Sequence, residues 1–360
     1  MVTQHHDDPK ASVENHDPLS IDLALQGGGA HGAFTWGVLE RVLEIPWLQI
    51  ESITGTSAGA MNAVVLLHGY TLEGPEGAKA ALEKFWRRVS DAARYSPFQR
   101  TPVDVMMGNW SLDNSPAYVF YDLFSRLFSP YQTNPTNFDP LRTILEESID
   151  FEGLKQSPIK LFVTATNVRT GLPRVFRNAN ISVEAVLASA CLPLVHQAIE
   201  IDGDPYWDGG FSGNPLLTPV IRESKARDIL LVQINPIERP GVPRTASEIL
   251  NRLNEISFNS SLKKELRGIA MFQRLFVDEG PGHAAWAEQW ADARVHRIAS
   301  PRMVELGVSS KLNAEWEFLC MLREEGRKCM DLFLKDHAAD LGNRSTFDLD
   351  SLLDTVLEQV

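Results

Sequence analysis

A serine in a small-residue turn is the first group in the sequence suited to chemistry. Gly55-Thr56-Ser57-Ala58-Gly59 has the pattern GxSxG and stands where a strand-like run, IESIT, gives way to a helix-like run. In a nucleophile elbow the serine occupies a strained turn, so the residues two before and two after it must be small. The pattern therefore predicts that Ser57 is a nucleophile. An idle serine in a tight glycine turn is the alternative.

A cluster of glycines precedes this serine. Gly27-Gly28-Gly29-Ala30-His31-Gly32 follows the apolar run IDLAL and comes before a helix-like segment. Glycines let backbone N–H groups turn inward, so this loop is suited to hold the oxyanion of an acyl-transfer reaction. The same letters fit the dinucleotide-binding pattern GxGxxG, with Glu51 as the ribose-binding carboxylate. That alternative is disfavoured, because the carboxylate belongs at the end of the second strand and Glu51 begins it.

The base that would activate Ser57 has more than one candidate. Trp207-Asp208-Gly209-Gly210 follows a predicted hairpin and places Asp208 in a turn, although Asp-Gly turns are also common without any function. A conventional hydrolase triad would instead need a histidine after the serine. His283 and His296 are available, but neither stands in a recognisable catalytic pattern. A structural role is the simpler interpretation of each.

The elements around these motifs predict a parallel sheet covered by helices. IDLAL (21–25) and IESIT (50–54) are short apolar runs, and each is followed by a helix-like segment, at 33–44 and from about 58 onward. Strand, turn and helix repeated in this way are typical of an α/β fold. In such a sheet the turns after neighbouring strands share the carboxyl edge. The glycine cluster and Ser57 are therefore expected to meet there.

Later segments continue this pattern and then become helical. Strands are predicted at 159–168, 173–177, 197–201, 228–234 and 294–298. Asp202-Gly203 is typical of a hairpin turn. After residue 236, Thr245 and Glu248 match a helix capping box, and a further helix is predicted over 313–335. An apolar stripe follows the capping box: Ile249, Leu253, Ile256, Leu262, Leu266, Ile269 and Phe276.

Composition limits the class of protein. Of the 360 residues 44% are hydrophobic and 22% charged, which is enough apolar material for a large core. The 34 Lys and Arg against 47 Asp and Glu give a net charge of −13. This charge argues against nucleic-acid binding, because phosphates need a basic face. Three cysteines without CxxC spacing indicate neither a zinc site nor a disulfide framework, and no metal or cofactor is expected.

Four segments are predicted along the chain. Residues 1–18 form a disordered tail, 19–235 carry the motifs, 236–338 form a mainly helical region packed on the same domain, and 339–360 form an acidic tail. Ten aromatic residues fall within 95–138. An insertion packed on the core is favoured over membrane contact, because aromatic side chains usually serve burial. A cap over an apolar cleft and a membrane-contacting patch are the alternatives.

Three linked motifs make the sequence resemble the patatin-like phospholipase family. They are GGGAHG (27–32), GTSAGA (55–60) and DGG (208–210), in this order, with LASACLPLV (187–195) and Asn214-Pro215 around the last. The resemblance covers roughly residues 20–235. It implies a three-layer α/β/α fold with a mostly parallel central sheet, to which the C-terminal helical region is added.

The resemblance also implies the roles of site residues. Ser57 would be the nucleophile and Asp208 the base of a Ser–Asp dyad that works without histidine. The backbone of four residues would form the oxyanion hole: Gly27, Gly28, Gly29 and Ala30. Five more glycines would support the turns: Gly32, Gly55, Gly59, Gly209 and Gly210.

The sequence thus predicts a serine hydrolase of lipid carboxylic esters, similar to a phospholipase A or a lysophospholipase. An intracellular esterase or a storage-polyester depolymerase on the same dyad remains open, and a nucleotide-binding protein is the more distant alternative. The expected partner is the acyl-ester substrate; membrane contact through 95–138 and a homo-oligomer are left open. Residues 1–20 hold no apolar leader, and no apolar run approaches the ~18 residues of a spanning helix. A cytoplasmic protein, peripheral to a membrane at most, is therefore expected.

Overall fold

The computed structural model describes residues 17–279 and 284–357. Residues 1–16 of the predicted tail and His283 lie outside this part of the chain. One sheet of eight strands runs through the described residues. The strands are β1 (Leu19–Leu25), β2 (Leu48–Gly55), β3 (Lys160–Asn167), β4 (Pro173–Arg177), β5 (Ile199–Ile201), β6 (Asp204–Asp208), β7 (Asp228–Val232) and β8 (Arg294–Ile298).

Helices fill most of the chain between and after these strands. The described α-helices are α1 (Gly32–Leu43), α2 (Ala58–Ala93), α3 (Pro102–Met106), α4 (Pro116–Ser125), α5 (Pro130–Thr133), α6 (Pro140–Ser148), α7 (Phe151–Leu154), α8 (Val183–Ser189), α9 (Thr218–Glu223), α10 (Ala246–Glu279), α11 (Ala285–Ala291), α12 (Trp316–His337) and α13 (Asp350–Leu357). The backbone of α2 leaves helical geometry at Glu73 and Gly74, just before Pro75, as expected where proline restricts the residue ahead of it. None of the described helices combines the length and apolar character needed to cross a bilayer.

The strands that carry the glycine cluster and Ser57 are parallel neighbours. β1 lies between β2 and β7, β2 pairs in parallel with β3, and β8 extends the parallel part beyond β7. β4, β5 and β6 add an antiparallel part next to β3. The hairpin between β5 and β6 turns at Asp202 and Gly203, whose φ angles are 55° and 81°. Both positive angles suit the hairpin turn that an Asp-Gly pair favours.

Helices cover both faces of the sheet, and the fold is a three-layer α/β/α arrangement. Successive side chains of a strand point to opposite faces. Leu23 and Leu230 accordingly belong to one core with α1, α2 and α12, whereas Ala24 and Leu231 belong to a second core with α9 and α10. Coverage on both sides explains why these strands read as continuous apolar runs rather than alternating ones.

The region after residue 235 is part of the same sheet and cores. β8 adds a strand to β7, and α12 packs along α1, where Arg323 and Arg327 both pair with the buried Glu40. The predicted capping box at the start of α10 is confirmed. The Glu248 amide donates to Thr245 Oγ1 (3.2 Å), and the Thr245 amide donates to Glu248 Oε2 (3.0 Å).

The apolar stripe predicted on α10 is buried only in its second half. Leu262, Leu266 and Ile269 lie in the core, whereas Ile249, Leu253 and Ile256 are exposed. Helical spacing tells which side chains share a face but not how far the sheet extends beneath them. The 34 residues of α10 span about 50 Å at 1.5 Å per residue, which is longer than any strand they cover.

Segment 95–138 packs on the core only in part: Trp110 lies against the main core and Leu112 is fully buried, whereas most of the aromatic side chains of the segment lie elsewhere. None of its ten aromatic side chains is buried, and five are exposed: Tyr95, Phe120, Phe128, Tyr131 and Phe138. α4 contains no buried residue at all. The three short helices of this segment present most of their large apolar side chains to solvent.

Candidate active site

Ser57 occupies the sharp turn between β2 and α2. Its backbone has φ 54° and ψ −122°, in the positive-φ range that side chains rarely adopt. A Cβ on Gly59 would collide with the Leu25 carbonyl, and a Cβ on Gly55 would collide with the backbone of Gly59. These are the steric demands of a nucleophile elbow. The turn places Ser57 at the carboxyl edge of the sheet, where the residue is 8% exposed.

The side chain of a second serine, Ser189, stabilises this turn through hydrogen bonds. The Ser57 amide donates to Ser189 Oγ (2.9 Å), and the Ser189 hydroxyl donates to the Thr164 carbonyl on β3 (2.6 Å). Thr56 adds a bond from its hydroxyl to the Gly213 carbonyl (2.7 Å). The Ser57 amide is therefore engaged by the protein. Sequence reasoning gave Ser189 no role, although it lies in the motif-flanking segment 187–195.

Asp208 lies at the same edge of the sheet as Ser57, at the end of an antiparallel strand. It ends β6, which pairs with the last residues of β3, and it is 1% exposed. Asp208 Oδ1 accepts the Gly210 amide (2.7 Å), whereas Oδ2 has no hydrogen-bond partner among the described residues. The Ser57 hydroxyl acts to lower the pKa of this carboxyl, although no hydrogen bond joins it to Oδ2. Catalytic hydrogen bonds often tighten only when substrate binds.

The environment of Asp208 makes it a stronger base than an ordinary carboxylate. Burial raises its pKa to about 6, although the Gly210 amide, the Ser57 hydroxyl and the Lys311 ammonium act to lower it. A raised pKa brings a general base closer to the operating pH. The two following glycines are sterically required, because a Cβ on Gly209 would collide with the Thr164 carbonyl and one on Gly210 with the Phe258 ring.

The glycine loop after β1 packs directly against the elbow. A Cβ on Gly27 would lie 2.6 Å from Ser57 Cβ, so only glycine permits this approach. The Gly27 amide donates to Asn214 Oδ1 (2.7 Å). The amides of Gly28, Gly29 and Ala30 make no hydrogen bond within the described residues. Of the four donors implied by the resemblance, Gly27 is thus engaged by the protein and the other three are unengaged.

Buried amide side chains hold the glycine loop in place. Gln26 donates through Nε2 to the Asn214 carbonyl (3.1 Å), and its Oε1 accepts the Asn235 amide (2.9 Å). Asn235 in turn donates through Nδ2 to the Gly27 carbonyl (2.8 Å). Sequence reasoning missed Gln26 and Asn235. Asn214 was visible only as part of the flanking Asn214-Pro215 pair.

No hydrogen bond joins Ser57 to a histidine in the described part of the chain. His296 lies on β8, three strands from β2, which is about 14 Å at the usual strand spacing. Its ring bonds to Asp228 (2.9 Å) and Thr346 (3.2 Å). His31 faces Ser310 (2.8 Å), and burial lowers its pKa to about 3, so the ring is neutral.

The site does not have the arrangement of a dinucleotide pocket. β2 begins at Leu48, so the prediction that Glu51 begins this strand is wrong: Glu51 is its fourth residue, four residues before the strand ends at Gly55, and it pairs with Lys160 (3.3 Å). A ribose-binding carboxylate would be needed at the carboxyl end of that strand. Nor are three His, Cys, Asp or Glu side chains grouped within the described residues as a metal site requires.

Comparison with known proteins adds a family match. The profile of the patatin-like phospholipase family matches residues 23–221, which is more than half of the chain and includes all three motifs. The comparison with curated proteins gave no match. Among solved structures, VipD from Legionella pneumophila is 13% identical over 89% of this chain and 67% of that chain, with a TM-score of 0.37. A structure of SpcU in complex with ExoU from Pseudomonas aeruginosa gives 14% identity, 96% and 78% coverage, and a TM-score of 0.27. These two likenesses are too low to carry an argument.

Proposed function

We propose that this chain, which belongs to the patatin-like phospholipase family, hydrolyses carboxylic esters of lipids through an acyl-enzyme on Ser57. The observation that supports this most is the meeting of three parts at one edge of the sheet. These are the strained turn at Ser57, the unpartnered Oδ2 of Asp208 and the unengaged amides of Gly28 to Ala30. Together they supply a nucleophile, a base and oxyanion donors, which acyl transfer requires.

In the proposed reaction Asp208 Oδ2 takes the proton of Ser57 as Oγ attacks the ester carbonyl. The electron pair of the carbonyl double bond moves onto its oxygen, where the amides of the glycine loop stabilise the charge. Collapse of this intermediate expels the alcohol part of the lipid, which leaves with the proton held by Asp208. Asp208 then takes a proton from water as the water oxygen attacks the acyl-Ser57 carbonyl. When the C–O bond to Ser57 breaks, Asp208 returns this proton to Ser57 Oγ and the fatty acid is released.

The proposed function is tested by labelling and hydrolysis with the purified full chain. A fluorophosphonate probe should label Ser57, and a panel of phospholipid, lysophospholipid, triacylglycerol and polyester substrates should identify the ester class. Labelling together with release of fatty acid from a lipid ester is the expected result. Absence of both would overturn the proposal. Release from the polyester alone would redirect it to a depolymerase.

Activity is expected to fall as the pH is lowered through about 6. Asp208 must be ionised to accept the proton of Ser57, and burial raises its pKa to about 6. The measurement is kcat/KM against pH with a soluble, non-ionising ester, which reports groups of the free enzyme. Full activity maintained down to pH about 4, the ordinary pKa of an aspartate, would contradict the raised pKa.

Exposed apolar side chains on and beside α3 and α4 form a surface that we call the apolar rim: Met106, Met107, Phe120, Leu123, Leu127 and Phe128. Hydrogen bonds join this segment to parts of the chain next to the site. Asn313, two residues after the Lys311 carbonyl that lies against Gly29, donates to the Trp110 carbonyl (3.1 Å), and Tyr121 donates to the Leu194 carbonyl (3.1 Å) in the segment that leads from Ser189 to Asp208. Large exposed apolar patches usually mark a binding surface. We propose that the rim contacts the lipid surface that holds the ester.

Removing two side chains of the apolar rim should reduce the hydrolysis of aggregated lipid more than the hydrolysis of dispersed ester. Phe120→Ser combined with Leu127→Ser is expected to lower the rise in rate when a short-chain ester passes its aggregation threshold, because apolar contact with the lipid surface is lost. Hydrolysis of the dispersed ester should change little. Leu72→Ser with Leu332→Ser is the matched control, since both leucines are exposed but lie on α2 and α12 far from the site. Equal losses on both forms of substrate would contradict the lipid-contact role.

A further inference from the structure

A lysine outside the three motifs lies beside the glycine loop. Lys311, in the short turn Val308–Leu312, donates through Nζ to Asn235 Oδ1 (2.8 Å) and Asn254 Oδ1 (2.9 Å). Both acceptors are neutral amides, and Nζ forms no ion pair with a described carboxylate. Lys311 is partly buried, and holding a cation partly out of water without a bonded anion costs free energy. Its position therefore points to a negative charge nearby that it serves.

Lys311 contacts the glycine loop in two ways. Its backbone carbonyl lies directly against Gly29, where a Cβ would collide with it. Its ammonium binds the oxygen of Asn235, and the nitrogen of the same side-chain amide donates to the Gly27 carbonyl (2.8 Å). One residue thus braces the loop at both ends of the segment that presents the unengaged amides.

The ammonium of Lys311 also faces the Asp208 side of the site. Nζ lies 5.7 Å from the centroid of the Phe258 ring. That ring packs on Gly210, in the turn that follows Asp208. The positive charge of Lys311 lowers the pKa of Asp208, and the Asp208 carboxylate in turn raises that of Lys311. The two charges are therefore coupled across the site without a direct ion pair.

The other groups around Lys311 leave its charge available to the site. Glu255 on α10 raises the pKa of Lys311 more than Asp208 does, but its carboxylate is itself paired with Arg239 and Arg252. The His31 ring in the glycine loop is neutral. The Cys191 thiol, whose backbone carbonyl accepts the Asp208 amide, has a pKa raised by burial to about 12 and carries no charge at neutral pH. Burial lowers the pKa of Lys311 to about 8, so it is mostly charged at pH 7.

We propose that Lys311 is a positioning residue for the Ser57 reaction, holding the glycine loop and placing a fixed positive charge beside Asp208 and the oxyanion site. The inference rests on the proposed function. When the proton passes from Ser57 to Asp208, negative charge leaves the carboxylate and appears on the substrate oxygen. A cation already in place beside both positions stabilises the charge without reorganising during the step.

The test compares Lys311→Met, Lys311→Arg and the wild type by kcat/KM of a soluble ester across pH. Lys311→Met should lose about tenfold in kcat, less than the 10²–10³ expected for a direct oxyanion donor. The acid limb of its profile, where kcat/KM falls as the pH is lowered, should move to higher pH, because Asp208 loses a neighbouring cation that lowers the pKa of the carboxyl. Lys311→Arg should keep the acid limb, and its alkaline fall should move above pH 8, because guanidinium does not titrate there. Lys160→Met, at the opposite edge of the sheet beside Glu51, is the control and should match the wild type.

The possible outcomes distinguish a positioning role of Lys311 from a role in packing alone. A folded Lys311→Met protein with the wild-type acid limb, whatever its kcat, would reduce Lys311 to a packing residue and overturn the inference. If Lys311→Met does not fold, the alkaline limb of Lys311→Arg decides: a shift to higher pH supports the inference, and an unchanged limb overturns it. Absence of hydrolysis by the wild type at every pH would count against the proposed function instead.

Discussion

Replacing Ser57 with alanine is expected to abolish ester hydrolysis and fluorophosphonate labelling. Alanine removes the attacking oxygen but keeps the Cβ that packs against Gly27, so the turn should survive. Loss of a catalytic serine costs on the order of 10⁶ in kcat. The measurements are probe labelling of the full chain and fatty-acid release from a lipid ester. Labelling that persists in Ser57→Ala would assign the reactive serine elsewhere.

Asp208→Asn should lose activity by about 10⁴-fold or more, because the amide keeps the shape and removes the basic oxygen. The new side chain can still accept the Gly210 amide through Oδ1. The substitution also removes a buried carboxyl whose pKa is raised from 3.8 to about 6. Above about pH 6 this carboxyl is ionised and destabilises the folded protein, whereas below about pH 3.8 it is neutral and this cost is absent. The variant should therefore be at least as resistant to heat as the wild type at pH 7, which separates lost chemistry from lost fold.

The double variant and the histidine variants complete this test. Ser57→Ala with Asp208→Asn should cost little more than either change alone, because members of one catalytic unit are non-additive. His196 directly follows the motif-flanking segment 187–195. His196→Gln, His283→Gln and His296→Gln should each keep most activity. Asp208→Asn that remains active, together with a folded but inactive histidine variant, would indicate a conventional triad and exclude the dyad.

Gly29→Val is expected to lower kcat by about 10²–10³-fold, the cost of a lost oxyanion donor. Gly29 has φ +59°, and a side chain there would collide with the Lys311 carbonyl. The loop must shift to relieve this collision, and its amides then leave the position of the oxyanion. The measurement is kcat on a soluble ester together with a thermal unfolding curve.

Gly171→Val is the matched control for this variant. Gly171 has a similar φ of +70° in the turn between β3 and β4, but a Cβ there would meet nothing within 4 Å. It therefore carries the same backbone strain without the collision. We expect Gly171→Val to lose stability and to keep its kcat. Near-normal turnover by a folded Gly29→Val protein would remove the glycine loop from the mechanism.

The turns that carry Ser57 and Asp208 could be predicted from the sequence because their requirements are mostly local. A strained serine turn needs small neighbours two residues away on each side, and the strand and helix that flank it each have their own apolar periodicity. Gly55 and Gly59 are accordingly in close contact with adjacent backbone, as are Gly209 and Gly210 with their surroundings. Such steric demands leave a readable pattern of residue types.

Burial could not be predicted in the same way. Segment 95–138 is rich in aromatic residues, but which of them are covered depends on whether another element lies over α3 and α4. Similarly, α10 keeps apolar spacing through Ile249 and Leu253, and both are exposed because the sheet does not extend that far. Periodicity reports the face of a helix, and only the arrangement of neighbouring elements decides what meets that face.

The sequence by itself predicted the α/β layers, the edge of the sheet where the site lies and Ser57 as the nucleophile, and its resemblance to the patatin-like family selected Asp208 as the candidate base. Only the tertiary structure decided that Asn214 occupies the Gly27 amide, 187 residues away in the chain, and that Lys311 faces the site from beyond the motifs. The side-chain amide of Asn214 and the ammonium of Lys311 impose no periodicity and no steric pattern on the neighbouring sequence. Their hydrogen-bond partners are decided only when α10 and the turn Val308–Leu312 pack against the glycine loop, because a donor and an acceptor that are buried together must then bond to each other.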